Sequence, residues 1–150
     1  MSKGSLYHHF PNGKEELLIA CLESLSDTIT LDIESIFSHY PTTQESIVAM
    51  IDKIIKKYET EGTITGHTFT SIVSEMGSLS DAVRKACISL YTKIEAIYES
   101  KLVAEGVSIE KAKAKALMIT ATIEGGIMLC LTKKTSEPLI VIAQTFQKTS

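Results

Sequence analysis

The residues best suited to chemistry in this sequence lie at its N-terminus. Residues 1–14 contain Lys3, His8, His9 and Lys14 and no carboxylate, whereas acidic and basic residues mix throughout the rest of the chain. Cationic and hydrogen-bonding side chains bind phosphate oxygens, while a net charge of −3 argues against holding nucleic acid by bulk charge. The N-terminal segment alone is therefore predicted to face a phosphate backbone.

The other candidates for catalysis or metal binding are scattered along the chain. His39 precedes a turn and His67 stands among threonines, so the sequence brings neither close to a nucleophile or an acid. The three cysteines lack CxxC spacing and support neither a disulfide framework nor a zinc site: Cys21, Cys87 and Cys130. Phosphate-loop and nucleophile-elbow motifs are absent. We predict that the protein is not an enzyme and uses no cofactor or metal.

Apolar residues recur at helical spacing through nearly every segment, and no alternating strand pattern of useful length appears. The pattern predicts an all-α protein of about six to seven helices. Helix ends are indicated by Pro, Gly and Ser/Thr caps. The predicted helical segments are 2–10, 14–40, 42–60, a less regular 63–76, 78–105, 108–132 and a last one that starts at 136.

The most apolar stretch, residues 116–131, is interrupted by Thr120, Thr122 and Glu124. The N-terminus has neither the apolar run nor the cleavage site of a signal peptide. We therefore expect a soluble cytoplasmic protein with no membrane partner.

The run Ser-Lys-Gly-Ser-Leu-Tyr-His-His-Phe-Pro-Asn-Gly-Lys-Glu-Glu-Leu at residues 2–17 resembles the recognition helix of TetR-type repressors. The resemblance implies that Lys3, Gly4 and Ser5 contact DNA bases. It implies that Tyr7, His9 and Lys14 contact phosphates. The alternative is an ordinary amphipathic helix with solvated histidines. In such repressors a bracing helix precedes the recognition helix. Because no such helix precedes it here, we expect this chain by itself to bind DNA weakly or not at all.

The resemblance extends over all 150 residues. Gly13, the stretch 66–68, the run 79–87 and the segment 124–126 look like the TetR branch that senses lincomycin-type antibiotics or flavonoids. The resemblance implies a helix-turn-helix remnant at 1–14 and an effector-binding and dimerisation domain at 15–150. It further implies a ligand-responsive repressor that is homodimeric, binds operator DNA in its full-length form and responds to a small apolar or aromatic effector.

The resemblance also implies that the last two helices form a four-helix dimer interface, and the sequence pattern agrees. The segment 108–132 is too apolar for a solvent-facing helix, and its small residues would permit close approach of a partner helix. The predicted interface comprises Ala121, Gly125, Gly126, Ile127, Met128, Leu131, Leu139, Ile142 and Phe146. The alternative is that the same residues close the core of the monomer.

An effector pocket is predicted among the inward residues of the middle helices. Its candidates are Met50, Ile54, Phe69, Ile72, Met76, Cys87 and Tyr91, with Glu124 as a polar anchor. Apolar pockets and apolar cores draw on the same residue types, so plain core packing is the alternative for each of them. Glu124 could equally lie on a rim facing water. A second functional hypothesis is a DNA-silent module that dimerises or binds a small molecule.

Overall fold

The computed structural model describes residues 13–64 and 80–148, except for the side chain of Lys14. These residues form five helices and no strand, so the predicted all-α class is confirmed. The helices are α1 (Lys14–His39), α2 (Thr43–Glu61), α3 (Asp81–Ala104), α4 (Ile109–Lys133) and α5 (Glu137–Lys148). The helices predicted at 2–10 and 63–76 lie outside the described residues.

The helix ends agree with the capping signals in the sequence. The Thr42, Ser80 and Ser108 hydroxyls each accept a hydrogen bond from the backbone N–H three residues on, which satisfies one of the free amides at a helix start. Gly62 ends α2 in the left-handed conformation with φ 74°, where a side chain would be strained. Lys134 ends α4 at φ 56° without being glycine.

The helices pack as a closed ring in the order α1, α3, α4, α5, α2 and back to α1. Every helix contributes buried apolar side chains to the core inside this ring, and the largest fully buried ones include Leu22, Ile51, Leu90 and Leu139. Amphipathic helices gain most of their stability from burying such stripes, at about 25 cal/mol per Å² of apolar surface.

Side chains from the end of α3 join it to two other helices. The Lys101 Nζ donates to the Phe37 carbonyl at 2.7 Å and to the Tyr40 carbonyl, both at the C-terminal end of α1. The Glu105 carboxylate accepts from the Thr43 backbone N–H at 2.6 Å and from the Thr43 hydroxyl at 2.7 Å, at the start of α2. A cation at a helix C-terminus and an anion at an N-terminus each match the helix dipole. The α1–α2 corner is therefore fixed to α3.

The seam between α1 and α3 contains polar atoms that lack partners. The Ser26 and Thr30 hydroxyls are buried and make no hydrogen bond to protein among the described residues. Ser26 is 4% exposed and faces a small cleft lined by α1 and α3. Burying a hydroxyl without a partner destabilises the folded state.

Replacing this hydroxyl tests its effect on stability. Ser26→Ala is expected to raise the free energy of unfolding by about 1 kcal/mol more than Ser24→Ala, because only the first change removes a buried, unpaired hydroxyl. Ser24 is exposed on the same helix and controls for helix propensity. Urea denaturation of both variants measures the difference. Equal effects of the two changes would show that the Ser26 hydroxyl is satisfied in solution.

Candidate functional site

A cavity of about 920 Å³ lies between α1, α2, α3 and α4. Its described lining is mainly apolar, a composition typical of pockets that enclose small organic molecules. Residues from four helices contribute to it: Cys21, Leu25, Thr28, Ile29, Leu31, Asp32, Ile33, Ser35, Ile36, Met50, Lys53, Ile54, Lys57, Ile94, Tyr98, Thr120, Ile123 and Glu124, together with Ile64 beyond the end of α2.

Three of the predicted pocket residues, Met50, Ile54 and Glu124, line this cavity. Cys87 is buried in the core instead and is not part of the lining, whereas Tyr91 reaches the site through its hydroxyl. Phe69, Ile72 and Met76 lie outside the described residues.

Sequence reasoning missed the contribution of α1, which supplies nine of the lining residues. The available signal is the apolar stripe of that helix, which includes Leu25, Ile29 and Ile33 and which is equally typical of core packing. Cys21, which belongs to that stripe, and Leu31, which lies beside it, are both exposed.

Polar groups gather on the α3–α4 side of the cavity. The Tyr91 hydroxyl donates to the Glu124 carboxylate with an O–O distance of 3.5 Å, and the Tyr98 hydroxyl contacts the Met50 sulfur at 3.6 Å. Burial raises the pKa of the Tyr98 phenol, and the negative charges of Glu124 and Glu95 raise it further. Tyr98 is therefore protonated at neutral pH and is a hydrogen-bond donor.

Charged groups on the α1–α2 side lie near solvent. Lys53 and Asp32 form an ion pair with side chains 58% and 48% exposed. Exposed pairs of this kind contribute little to stability. Within the described part of the chain no group of His, Cys, Asp and Glu is placed to hold a metal ion. The arrangement suits an apolar ligand with one polar end.

A second feature is an apolar stripe on the outer face of α4. Leu117, Met118 and Met128 are 60%, 66% and 57% exposed, and Leu129 is also exposed. Helical spacing places these side chains on one face, opposite the buried residues of the same helix. Ile140 and Val141 of α5 are exposed as well. An exposed apolar face such as that of α4 indicates an interaction surface.

The structure divides the residues predicted for the dimer interface. Ala121, Gly125 and Met128 are exposed on the outer face of α4. The other six face inward, because α5 folds back against α4: Gly126, Ile127 and Leu139 are buried within the protomer, and Leu131, Ile142 and Phe146 are partly buried against its core. The buried three have no surface left for a partner. Leu117, Met118, Leu129, Ile140 and Val141, which the sequence did not single out, are exposed apolar residues of the same two helices.

The residues predicted to bind DNA cannot be placed in the same way. Lys3, Gly4, Ser5, Tyr7 and His9 lie outside the described residues. Lys14 is the first residue of α1, but its side chain is likewise not described.

A solved regulator has the same helical architecture. The crystal structure of a TetR transcriptional regulator from Legionella pneumophila matches with a TM-score of 0.77 and 21% sequence identity, over 99% of this chain and 80% of that one. The likeness establishes the fold, an all-α bundle of the TetR type.

Sequence comparison establishes the family. Residues 43–145 match the family described as transcriptional regulator LmrA/YxaF-like, C-terminal domain. The chain is 34% identical over 142 residues to the uncharacterized HTH-type transcriptional regulator YxaF of Bacillus subtilis (strain 168), covering 95% of this chain and 74% of that protein. It is also 34% identical over 141 residues to the HTH-type transcriptional regulator LmrA of that strain, covering 94% and 75%. The chain therefore belongs to the LmrA/YxaF-like regulators of the TetR family.

The two adjacent glycines of α4 provide a test of the packing at α5. A Cβ added to Gly126 would lie 2.5 Å from the Ile142 Cδ1 and 2.9 Å from the Leu139 Cδ2, whereas one added to Gly125 would meet nothing within 4 Å. The free energy of unfolding of Gly126→Ala is therefore expected to be about 2 kcal/mol lower than that of Gly125→Ala. Both variants gain the same helix propensity, but only the new methyl group at residue 126 is overpacked. Urea denaturation at matched protein concentration measures the difference. Similar stabilities would show that α5 does not pack closely on α4 in solution.

Proposed function

We propose that this protein is a cytoplasmic, ligand-responsive repressor that acts as a homodimer and binds a small apolar or aromatic effector in the cavity described above. The observation that carries the proposal is the cavity itself: an apolar space of about 920 Å³ with a carboxylate in its wall. One of its walls is α1, which continues directly from the N-terminal segment predicted to read DNA. A ligand that alters the packing of α1 would act on that segment.

The outer face of α4 supports the homodimer. We propose that the four-helix interface contains Ala121, Gly125 and Met128 from the original prediction, joined by Leu117, Met118, Leu129, Ile140 and Val141. Among the described helices α4 is long and apolar enough to cross a membrane, by length and composition alone. A partner protomer would cover the exposed apolar face of α4 equally well. The homologues of this chain are transcriptional regulators.

The resemblance to regulators that sense lincomycin-type antibiotics or flavonoids supports a drug-like effector. We propose that Lys3, Gly4 and Ser5 contact bases and that Tyr7, His9 and Lys14 contact phosphates in the operator complex. Effector binding would then change the separation of the two recognition helices, so that they no longer fit successive major grooves.

A charge placed on the outer face of α4 tests the dimer. Met118→Glu is expected to weaken self-association on the order of 100-fold, because twofold symmetry would bury two unpaired carboxylates. The measurement is sedimentation equilibrium, in which the wild type should have twice the chain mass of 16.4 kDa. Ile88→Glu, at an exposed position on α3, is the matched control. A wild type that is monomeric, or a Met118→Glu variant that remains dimeric, contradicts the proposed interface.

Filling the cavity tests the effector site. In the full-length form, Ile54→Trp is expected to leave DNA binding unchanged and to reduce effector-driven release at least about tenfold, because the larger side chain occupies the ligand's space. The assay is fluorescence anisotropy with DNA from the promoter of the gene that encodes the protein, using quercetin and lincomycin as probes. Lys56→Trp, at an exposed position outside the cavity lining, is the control. Ligand binding by a dimer that never binds DNA would support the DNA-silent module instead.

A further inference from the structure

We propose that the cavity selects an effector with an uncharged hydrogen-bond acceptor, a carbonyl oxygen on an apolar or aromatic body, and that the Tyr98 hydroxyl donates to this oxygen. This inference rests on the proposed effector site and names the ligand group that the site would recognise.

Tyr98 is a buried polar side chain in the wall of the cavity. It belongs to α3, is 2% exposed and is part of the cavity lining. Its ring packs against the ring of Phe37 on α1, with the two centroids 5.3 Å apart. Because the ring is packed in the core, the position of the hydroxyl is set before a ligand arrives. A preorganised donor loses little conformational freedom when it binds.

The hydroxyl of Tyr98 has a weak partner. Within the described part of the chain it makes one hydrogen bond, to the Met50 sulfur at 3.6 Å. A thioether sulfur is a weak acceptor, and the unbranched methionine side chain adapts its position easily. Met50 lines the cavity too. A ligand oxygen that reaches this pair would therefore give the hydroxyl a stronger acceptor than the one it has.

The other hydroxyl and ammonium donors of the described lining are either bonded to oxygen already or close to water. The Thr120 hydroxyl donates to a backbone carbonyl at 2.9 Å, and the Thr28 hydroxyl does the same at 3.2 Å. Ser35, Lys53 and Lys57 are exposed. Among these donors of the described lining, a buried hydrogen held only by sulfur is found at Tyr98.

The surroundings of this donor favour an uncharged acceptor. Ile94, one turn before Tyr98 on the same face of α3, and Ile123 of α4 are buried apolar residues of the lining. An anionic oxygen would lose its hydration against such a wall, and a single phenol does not replace it. Burial raises the pKa of the Tyr98 phenol, so the proton stays on the protein. A carbonyl oxygen accepts the hydrogen bond and brings no proton that needs a partner of its own.

Prodan and an analogue without its ketone test the proposal. Prodan is a naphthalene with a propionyl group at one end and a dimethylamino group at the other, and in the analogue a propyl group replaces the propionyl group. Both molecules are neutral, and their fluorescence reports binding to an apolar site. The emission of prodan also moves to longer wavelength when its carbonyl oxygen accepts a hydrogen bond. Each probe is titrated with the purified protein.

Tyr98→Phe is the decisive variant, because it keeps the ring and removes the hydroxyl. Its affinity for prodan is expected to be at least about fivefold below that of the wild type, and bound prodan should emit at shorter wavelength. The affinity for the analogue is expected to stay within about twofold, which also shows that the cavity is intact.

Tyr58→Phe is the matched control. It removes another partly buried tyrosine hydroxyl, one that donates to the Cys130 carbonyl at 3.4 Å and lies outside the described lining. Neither the affinity for prodan nor the emission of bound prodan should change in this variant. A loss confined to Tyr98→Phe and to the ketone supports the assignment.

Two results would overturn the inference while leaving the effector site in place. One is an equal change in the affinities for prodan and for the analogue in Tyr98→Phe, including no change in either. The other is failure of both probes to bind while the effector response in the DNA assay is intact. If neither probe binds and that response is also absent, the effector site itself fails, and the inference fails with it.

Discussion

Beyond Lys115, α4 has apolar side chains on opposite sides, and a helix segment of this kind has to be covered on both of them. On one side Ala112, Ala116 and Cys130 are fully buried against the neighbouring helices. The small side chains among them allow α3 and α5 to approach closely. On the other side Leu117, Met118 and Met128 remain exposed in the single protomer. The neighbouring helices of the ring cover the first side, and the partner protomer of the proposed homodimer would cover the second.

The polar contacts of α1 differ between its two ends, and this difference affects how a ligand in the cavity could move that helix. The C-terminal end of α1 is tied to α3 through Lys101, and the start of α2 is tied to the same helix through Glu105. Farther toward the N-terminus of α1, the Ser26 and Thr30 hydroxyls are buried in the seam and have no hydrogen-bond partner among the described residues. If the proposed function holds, a ligand that displaces α1 would pivot it about its fixed end. The N-terminal end, which leads to the predicted DNA-reading residues, would move most.

Local signals made the helical segments of the described chain predictable. Thr42, Ser80 and Ser108 are hydroxyl caps, and Gly62 is a left-handed terminator. Which residues enclose a cavity was less predictable, because Met50 and Ile54 line the space while the equally apolar Cys87 belongs to the core. The difference depends on where α1 lies relative to α2 and α4. Helical periodicity shows which face of a helix is apolar but not which neighbour that face meets.

The segment Glu124-Gly125-Gly126 shows why the predicted dimer residues divided as they did. Successive residues of an α-helix point about 100° apart, so three neighbours face three directions. Glu124 lines the cavity, Gly125 lies open on the outer face, and Gly126 packs against Leu139 of α5. Small residues that are adjacent in the sequence therefore do not form one continuous surface patch on the helix. Because adjacent residues of one helix belong to the cavity and to the proposed interface, a ligand that shifts Glu124 would also shift the face offered to a partner protomer. If the proposed function holds, the effector cavity and the dimer interface are joined through α4.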